Sequence, residues 1–266
     1  IKTGFIGGML GGFLVGYIVL AIKKYIKLPK SMQGLMPIMI IPVLATLISG
    51  LGMYLIIGQP IVWLQEVLTN FLNNMRGGSK FVLGAILGAM ATFDFGGPVN
   101  KTMSLFSDGL LIDGIYGPEA VKFIGSIIPP FGITLSYFLT KNKYTKAEKE
   151  ALKAAFPMGI CMITEGVIPI AARDLVRVVG SCVVASAIAG GLAMTWGVGS
   201  PVPHGGMFVV PLFEKPWLFC LALLIGTVIC GVMLSLWKKP VTEEDEEFED
   251  LDNKNISSDD ISFTLE

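Results

Sequence analysis

Residues 163–169 read Ile-Thr-Glu-Gly-Val-Ile-Pro and place one carboxylate, Glu165, inside an apolar run from Ala154 to Ala172. A carboxylate at membrane depth costs about 2.5–3.5 kcal/mol on insertion scales, so such residues usually face a protein interior or a water-filled path. Gly166 and Pro169 break a regular helix just after it, and broken helices at this depth are tolerated where they line a cavity. Glu165 is therefore the first candidate for a substrate contact, with a helix-end glutamate at the membrane interface as the alternative.

Two further polar inserts interrupt apolar segments. One, from Asp94 to Lys101, reads DFGGPVNK; the other, from Pro203 to Gly206, reads PHGG and holds the only histidine, His204. Carboxylate, amide and imidazole groups offer the multidentate hydrogen bonding that a sugar needs, whereas a site for hard cations has more clustered carboxylates. The inserts predict a polyol ligand, with no metal and no cofactor. The alternatives are a wet loop at the membrane surface and a histidine satisfied within the core.

The composition predicts an all-α integral membrane protein. Hydrophobic residues make up 53% of the chain, charged residues only 15%, and the mean hydropathy is +0.68. Soluble domains carry about 25% charged residues, and long apolar runs between short charged stretches are typical of a polytopic helical bundle. The net charge of −1 says nothing about nucleic acid, but the lack of a basic aromatic patch predicts no nucleic-acid partner. The four cysteines have no metal-ligand or redox spacing.

Lysine clusters predict the topology. Lys23–Lys30, Lys141–Lys153 and Lys238–Lys239 are expected on the cytoplasmic side. Between the second and third clusters two full spans suffice, so Ala154–Ala172 is predicted to be a re-entrant hairpin that enters from the cytoplasm. Between the first and second clusters three spans are obvious, and Thr102–Tyr116 is the candidate for a fourth crossing. The apolar run that ends at Leu139 is expected to be interrupted at its two adjacent prolines, residues 129 and 130.

The inserts and their order resemble a known family. The stretches 93–101, 163–169 and 203–206, together with 28–31 (LPKS) and 127–130 (IIPP), are similar to motifs of the fructose-type enzyme IIC. That protein is the permease of the bacterial phosphoenolpyruvate-dependent sugar phosphotransferase system. The resemblance extends to about Lys239. The chain departs from the family at its start, where members carry further membrane helices, and at Val167, where alanine is common.

The resemblance implies group translocation across the bacterial cytoplasmic membrane. The permease binds a sugar from outside and presents it inward, where a phosphocysteine on the IIB domain phosphorylates it; for fructose the product is usually the 1-phosphate. The implied partners are the sugar, the IIB and IIA phosphocarrier domains, the lipid bilayer and a second copy of the chain in a homodimer. Fructose, mannose-type sugars and mannosylglycerate all remain open.

The same resemblance implies a scaffold part and a transport part. We expect residues 1–78 to be truncated scaffold or oligomerisation helices, since Gly8, Gly12 and Gly16 have spacing that lets helices approach closely. Residues 79–240 are expected to form the substrate-binding part. Residues 241–266 contain few apolar residues, and Glu243–Asp250 is nearly all acidic, which predicts a disordered cytoplasmic tail or linker.

Roles follow from side-chain chemistry. Glu165 and His204 are the predicted catalytic residues, because either could deprotonate the sugar hydroxyl that attacks phosphorus. Arg173 and Arg177 could offset charge on the phosphoryl side, with topology anchors as the alternative. The predicted substrate-binding set is Asp94, Asn100, Lys101, Thr164, Glu165 and His204.

Two other functions fit parts of the pattern. An ion-coupled secondary transporter of a small polar solute would use Asp94 and Glu165 as proton or sodium sites and would need no phosphoenolpyruvate. A membrane scaffold or receptor that transports nothing would leave Glu165 and His204 without a purpose and would bind no sugar.

Overall fold

A computed structural model describes residues 4–29, 33–74 and 77–241. This part of the chain is helical, and its only β pairing is a single bridge between Gly199 and Glu214. The prediction of an all-α bundle is confirmed. The α-helices are α1 (Gly4–Tyr25), α2 (Ile41–Gly52), α3 (Gly58–Asn73), α4 (Gly77–Thr92), α5 (Pro98–Ile112), α6 (Gly117–Leu139), α7 (Lys146–Ile160), α8 (Ile168–Arg173), α9 (Leu175–Trp196) and α10 (Pro216–Trp237).

Four helical stretches among the described residues are long and apolar enough to cross a membrane by length and composition. They are Met36–Pro60, α6, α9 and α10. Contacts between residues group the chain into two compact units. The first comprises residues 1–75 and 108–115, and the second comprises the rest. The predicted tail from residue 242 onward, together with Lys30 and Ser31 of the LPKS motif, lies outside the described residues.

The first unit is built from α1 and one long helical stretch. Short π-helical turns at Met36–Ile40 and Met53–Ile57 flank α2, and α3 continues the same stretch. A β-carbon added at Gly52 would lie 3.5 Å from the Leu14 side chain, so α1 and α2 pack closely there. Much of the apolar surface of this unit is exposed, with Tyr54 67% exposed. Such a surface needs lipid or protein to cover it.

Helices α6, α9 and α10 form the centre of the second unit. α10 runs parallel to α6, because Gly226 packs against Ile128 and, farther along both helices, Cys230 packs against Gly132. α9 runs in the opposite direction, and its Cys182 Sγ lies 3.6 Å from Cys230 Sγ. Glycine allows this close approach, since membrane helices gain most of their association energy from such packing.

The two adjacent prolines of α6 do not interrupt it, and the predicted break is wrong. α6 continues through Pro129 and Pro130 to Leu139. Pro129 has no N–H for the Gly125 carbonyl four residues before it, and Thr92 Oγ1 donates to that carbonyl at 2.9 Å instead. Prolines inside membrane helices are tolerated because such side chains satisfy the backbone groups that the ring leaves unpaired.

One end of the second unit carries the basic clusters, and we call it the inner end. Lys143 Nζ donates to the Ser235 carbonyl at 2.7 Å, and Lys238 Nζ lies 2.8 Å from Glu148 Oε1. These contacts confirm that Lys141–Lys153 and the end of α10 lie on one side, as the positive-inside rule predicts. The outer end is the opposite one, where α6 and α10 begin and α9 ends.

Helix α4 enters the second unit from the outer end and stops partway. Gly84 packs against Gly190 and Gly88 against Ser186, so α4 runs antiparallel to α9. A β-carbon at Gly84 or Gly88 would overlap the α9 backbone. The glycines therefore let the two helix axes approach closely, with α4 directed inward.

The α4–α5 pair is a re-entrant hairpin, which we call the outer hairpin. Thr92 Oγ1, at the end of α4, donates at 2.9 Å to the carbonyl of Gly125. Gly125 is eight residues into α6, about 12 Å from its outer end at 1.5 Å per residue. α5 then returns, since Ser107 Oγ donates to the Pro118 carbonyl at the start of α6. From Pro98 to Ser107, α5 therefore runs back toward the outer end. The prediction that Thr102–Tyr116 supplies a fourth crossing is wrong for this part of the helix.

The predicted re-entrant hairpin is present, consists of α7 and α8, and enters from the inner end. We call it the inner hairpin. Its tip packs against the middle of α6, where a β-carbon at Gly159 would overlap the Pro130 ring. Both feet lie at the inner end, because Arg173 Nη1, at the end of α8, donates at 3.0 Å to Thr145 Oγ1, the residue that caps α7. Gly125 and Pro130 are five residues apart, so the two hairpin tips meet α6 about 8 Å apart.

Candidate functional site

The tip of the outer hairpin is a tight turn held by its own side chains. Asp94 Oδ2 accepts from the backbone N–H of Val99 at 2.6 Å, and Oδ1 accepts from that of Asn100 at 3.0 Å. Asp94 therefore caps the N-terminus of α5, where free N–H groups and the helix dipole favour a carboxylate. Asn100 is buried, and its Nδ2 donates to the Ala91 carbonyl at the end of α4. Both predicted substrate ligands thus have structural partners in the turn.

The tip of the inner hairpin carries Glu165. α7 ends at Ile160, and Met162 adopts a left-handed φ of 66° that reverses the chain. One 3₁₀ turn, Glu165–Val167, then leads into α8, with Pro169 in its first turn, where the missing N–H is harmless. A helix break is present near Glu165, but it begins before the carboxylate, where α7 ends at Ile160, rather than just after it as predicted. Thr164, just before it, is buried.

The two hairpin tips touch at Gly96. A β-carbon added to Gly96 would lie 2.5 Å from Glu165 Oε1 and 3.0 Å from its carboxyl carbon, closer than real β-carbons approach other atoms. The carboxylate therefore rests against the Gly96 α-carbon. Two motifs that are about 70 residues apart in the sequence form one site halfway along α6.

The third insert reaches the inner hairpin tip from the outer end. Gly206, with a φ of 62°, packs so tightly on the Ile160 carbonyl and Cys161 that no β-carbon would fit. The base of the loop is closed at the outer end, where Glu214 N–H donates to the Gly199 carbonyl at 2.8 Å. The loop that holds His204 therefore extends inward to the hairpin tip that carries Glu165.

Three of the predicted site residues have side chains that are accessible to a ligand. Glu165, His204 and Lys101 are exposed rather than packed in the core. In the described part of the chain, none of these side chains has a hydrogen bond or ion pair to another residue. Their polar groups are therefore available to a ligand. Across all the residues that the structure describes, no three His, Cys, Asp or Glu side chains lie close enough together to hold a metal ion.

The two arginines lie at the foot of the inner hairpin, not at its tip. Arg173 donates to Thr145 Oγ1, and Arg177 Nη1 lies 3.0 Å from Asp174 Oδ1. Five residues of helix separate Ile168 from Arg173, about 8 Å of rise toward the inner end. The structure does not bring them together with the tip residues.

Sequence reasoning missed a buried ion pair at the inner end. Glu148 and Lys238 form it at 2.8 Å, with side chains 3% and 6% exposed. The Lys238 ammonium also lies 5.0 Å from the centre of the Tyr144 ring. Burial raises the pKa of the Tyr144 hydroxyl, which keeps the ring neutral. The Thr145–Glu148 capping box that starts α7 could be read from the sequence, whereas the partner 90 residues away could not.

Comparison with known proteins decides the family. The profile of the phosphotransferase system EIIC family matches residues 1–213, most of the chain. The chain belongs to the EIIC family. The resemblance stated from the motifs is therefore confirmed, and so is the multi-pass membrane character that the four apolar helices indicate.

The names of several relatives of this EIIC chain specify fructose. The fructose-specific EIIB'BC component of Xanthomonas campestris is 43% identical over 228 residues, 85% of this chain and 39% of the relative. The fructose permease IIC component of Bacillus amyloliquefaciens is 40% identical over 244 residues, 91% of this chain and 80% of the relative. The EIIB'BC component of Escherichia coli is 42% identical over 222 residues.

The chain spans about two-fifths of the length of the fused relatives, 39% for both the Xanthomonas and Escherichia proteins. It spans four-fifths of the Bacillus amyloliquefaciens permease. No solved structure matches the chain significantly.

Proposed function

We propose that this EIIC chain is the sugar-translocating part of a fructose-type phosphotransferase system. The observation that carries the proposal is the meeting of two opposed hairpin tips halfway along α6, where Glu165 rests on Gly96 and has no hydrogen-bond partner among the described residues. Re-entrant segments that meet at mid-depth are where membrane transporters bind their substrates. The fructose names of the relatives support the choice of sugar.

The sugar binds at the hairpin tips through its hydroxyl groups. The Glu165 carboxylate accepts hydrogen bonds from them, and such charge-assisted bonds are stronger than neutral ones. The imidazole of His204 orients the attacking hydroxyl. Buried Thr164 supports the Glu165 turn and offers one further hydroxyl. The substrate binds from outside and is presented toward the inner end.

Phosphorylation follows at the inner side, with a phosphocysteine of a IIB domain as donor. The sulfur–phosphorus bond breaks as the sugar oxygen bonds to phosphorus, and the cysteine leaves as a thiolate. The hydroxyl proton passes to Glu165 or His204 as general base. Arg173 and Arg177, at the foot of the inner hairpin, offset charge where the phosphoryl group arrives. The IIA domain recharges IIB.

The outer tip supplies the remaining sugar contacts. Each Asp94 oxygen already accepts one backbone N–H, but a carboxylate oxygen has a second lone pair that can accept from a sugar hydroxyl. Asn100 offers its carbonyl oxygen, because its amide nitrogen is engaged with Ala91. Lys101 is exposed in the first turn of α5 and contributes positive charge.

The two units have different tasks in this proposal. The second unit, which holds all three motifs, is the transport part. The first unit, with its exposed apolar side chains, is the scaffold part and forms a homodimer. Such contiguous apolar surface fits a protein or lipid partner.

Uptake by intact cells tests the proposed function. Cells that produce the chain with its phosphocarrier partners receive labelled fructose, mannose or mannosylglycerate, in backgrounds with and without a working phosphotransferase system. We expect labelled fructose to enter and to be recovered as sugar phosphate only where the system works. Entry of unmodified sugar without the system would support an ion-coupled transporter instead.

A further inference from the structure

Gly96 meets two independent requirements that only glycine satisfies. Its φ of +100° lies in a region that side chains rarely adopt. Separately, the space that a β-carbon would fill is occupied by the Glu165 carboxylate, with Oε1 at 2.5 Å, the carboxyl carbon at 3.0 Å and Cγ at 3.3 Å. The first requirement belongs to the turn alone, whereas the second belongs to the contact between the hairpins.

The turn around Gly96 is rigid. Asp94 accepts two backbone N–H groups of α5, and Gly97 N–H donates to the Asp94 carbonyl at 3.1 Å. Phe95 before it is buried at a strained φ of 45°. A turn fixed at this many points cannot shift easily, so it acts as a firm surface for whatever rests on it.

The Glu165 side chain has no comparable set of hydrogen bonds in the described chain. Its side chain is exposed and has no hydrogen bond or ion pair to the rest of the described chain. A free glutamate side chain samples several rotamers. The contact with Gly96 restricts the space open to its carboxylate.

We propose that Gly96 is a positioning residue for Glu165: the α-carbon at the outer hairpin tip fixes where the carboxylate meets the sugar. The inference rests on the proposed function, because it assigns Glu165 to the sugar. It adds that the outer hairpin controls the geometry of a residue on the inner hairpin. A bulkier residue at position 96 would displace the carboxylate and change sugar affinity through Glu165.

The test is a double-mutant cycle on the purified full chain. Gly96→Ala adds one methyl group against the carboxylate, and Glu165→Asp shortens the side chain by one carbon–carbon bond, about 1.5 Å. The single and double variants are compared for fructose affinity and thermal midpoint. Gly114→Ala is the matched control, because Gly114 has a φ of +79° and nothing within 4 Å of its added β-carbon.

We expect Gly96→Ala to lose at least tenfold in fructose affinity and Gly114→Ala less than threefold. Glu165→Asp should weaken binding in the native background but weaken it at least fivefold less in the Gly96→Ala background. If Gly96→Ala does not assemble, recovery of assembly by the added Glu165→Asp change supports the proposal.

Additive effects on affinity, or failure of both position-96 variants to assemble, would overturn the positioning role and leave the proposed function standing. Absence of fructose, mannose and mannosylglycerate binding by the unchanged chain would remove both proposals together. Equal losses in Gly96→Ala and Gly114→Ala would show that backbone strain alone explains the effect.

Discussion

At the residue scale, two carboxylates that look alike in the sequence have different surroundings. Asp94 and Glu165 both sit beside glycine and proline in apolar segments. Asp94 caps α5 through two backbone hydrogen bonds, whereas the Glu165 carboxylate rests against Gly96 and has no hydrogen bond or ion pair within the described residues. A carboxylate without protein partners is the better candidate to bind a substrate, because its full hydrogen-bonding capacity is available.

Charge removal at Glu165 should weaken sugar binding while the fold persists. Glu165→Gln keeps the shape but loses the charge, and a hydrogen bond to a charged group contributes about 1.5–3 kcal/mol. We expect roughly a tenfold to hundredfold loss of affinity. His204→Gln should reduce phosphorylation rate more than affinity, because it removes the imidazole base.

The matched control for these variants is Glu150→Gln, since Glu150 is an exposed carboxylate on α7 at the foot of the same hairpin. Sugar affinity and phosphorylation rate are measured on purified, correctly assembled protein. Values for Glu165→Gln and His204→Gln that match those of Glu150→Gln would take both residues out of the site.

At the element scale, the inner hairpin could be predicted and the outer one could not. The inner hairpin is marked by Gly166 and Pro169 and by basic clusters that must share one side. The depth of α4 depends instead on where Gly84 and Gly88 pack against α9, which no local pattern records. The proline pair of α6 misled for a similar reason: Thr92 on α4 donates to the Gly125 carbonyl that Pro129 leaves unpaired, and only the fold shows this contact.

The sequence identified the residues of the candidate site better than the contacts between them. The three inserts were found because glycine, proline and polar residues stand out in apolar segments. That Gly96 contacts Glu165 and that Gly206 contacts Cys161 could not be predicted, because both contacts join distant parts of the chain. The arginines were grouped with the site by their chemistry, but Arg173 belongs to the hairpin foot.

Removal of one partner of the Glu148–Lys238 ion pair, at the foot of the inner hairpin, should strongly destabilise the second unit. Lys238→Met would leave the Glu148 carboxylate buried without its cation, which typically costs about 3–5 kcal/mol. Adding Glu148→Gln should restore much of the lost stability, since no buried charge then remains. Thermal unfolding in detergent measures both variants.

Lys239→Met is the control for that experiment, because Lys239 is the exposed neighbour. It should shift the unfolding midpoint little. A Lys238→Met protein as stable as Lys239→Met would mean that water or another group reaches Glu148 and that the pair does not hold the hairpin foot.

At the scale of the whole molecule, the second unit has two distinct ends. The chain belongs to the EIIC family, and the inner end of its second unit carries the Lys141–Lys153 and Lys238–Lys239 clusters. One hairpin enters from each end, and their tips meet beside the middle of α6. This arrangement suits a sugar that arrives from one side and a phosphoryl donor that arrives from the other.

The most direct test of this account uses sealed vesicles that contain the purified chain with its IIB and IIA partners, the upstream carriers and phosphoenolpyruvate on the inner-end side. Labelled fructose is supplied on the opposite side. We expect accumulation of fructose phosphate that requires phosphoenolpyruvate and falls at least tenfold in Glu165→Gln but not in Glu150→Gln. Accumulation of unphosphorylated sugar driven by an ion gradient, with phosphoenolpyruvate without effect, would contradict it.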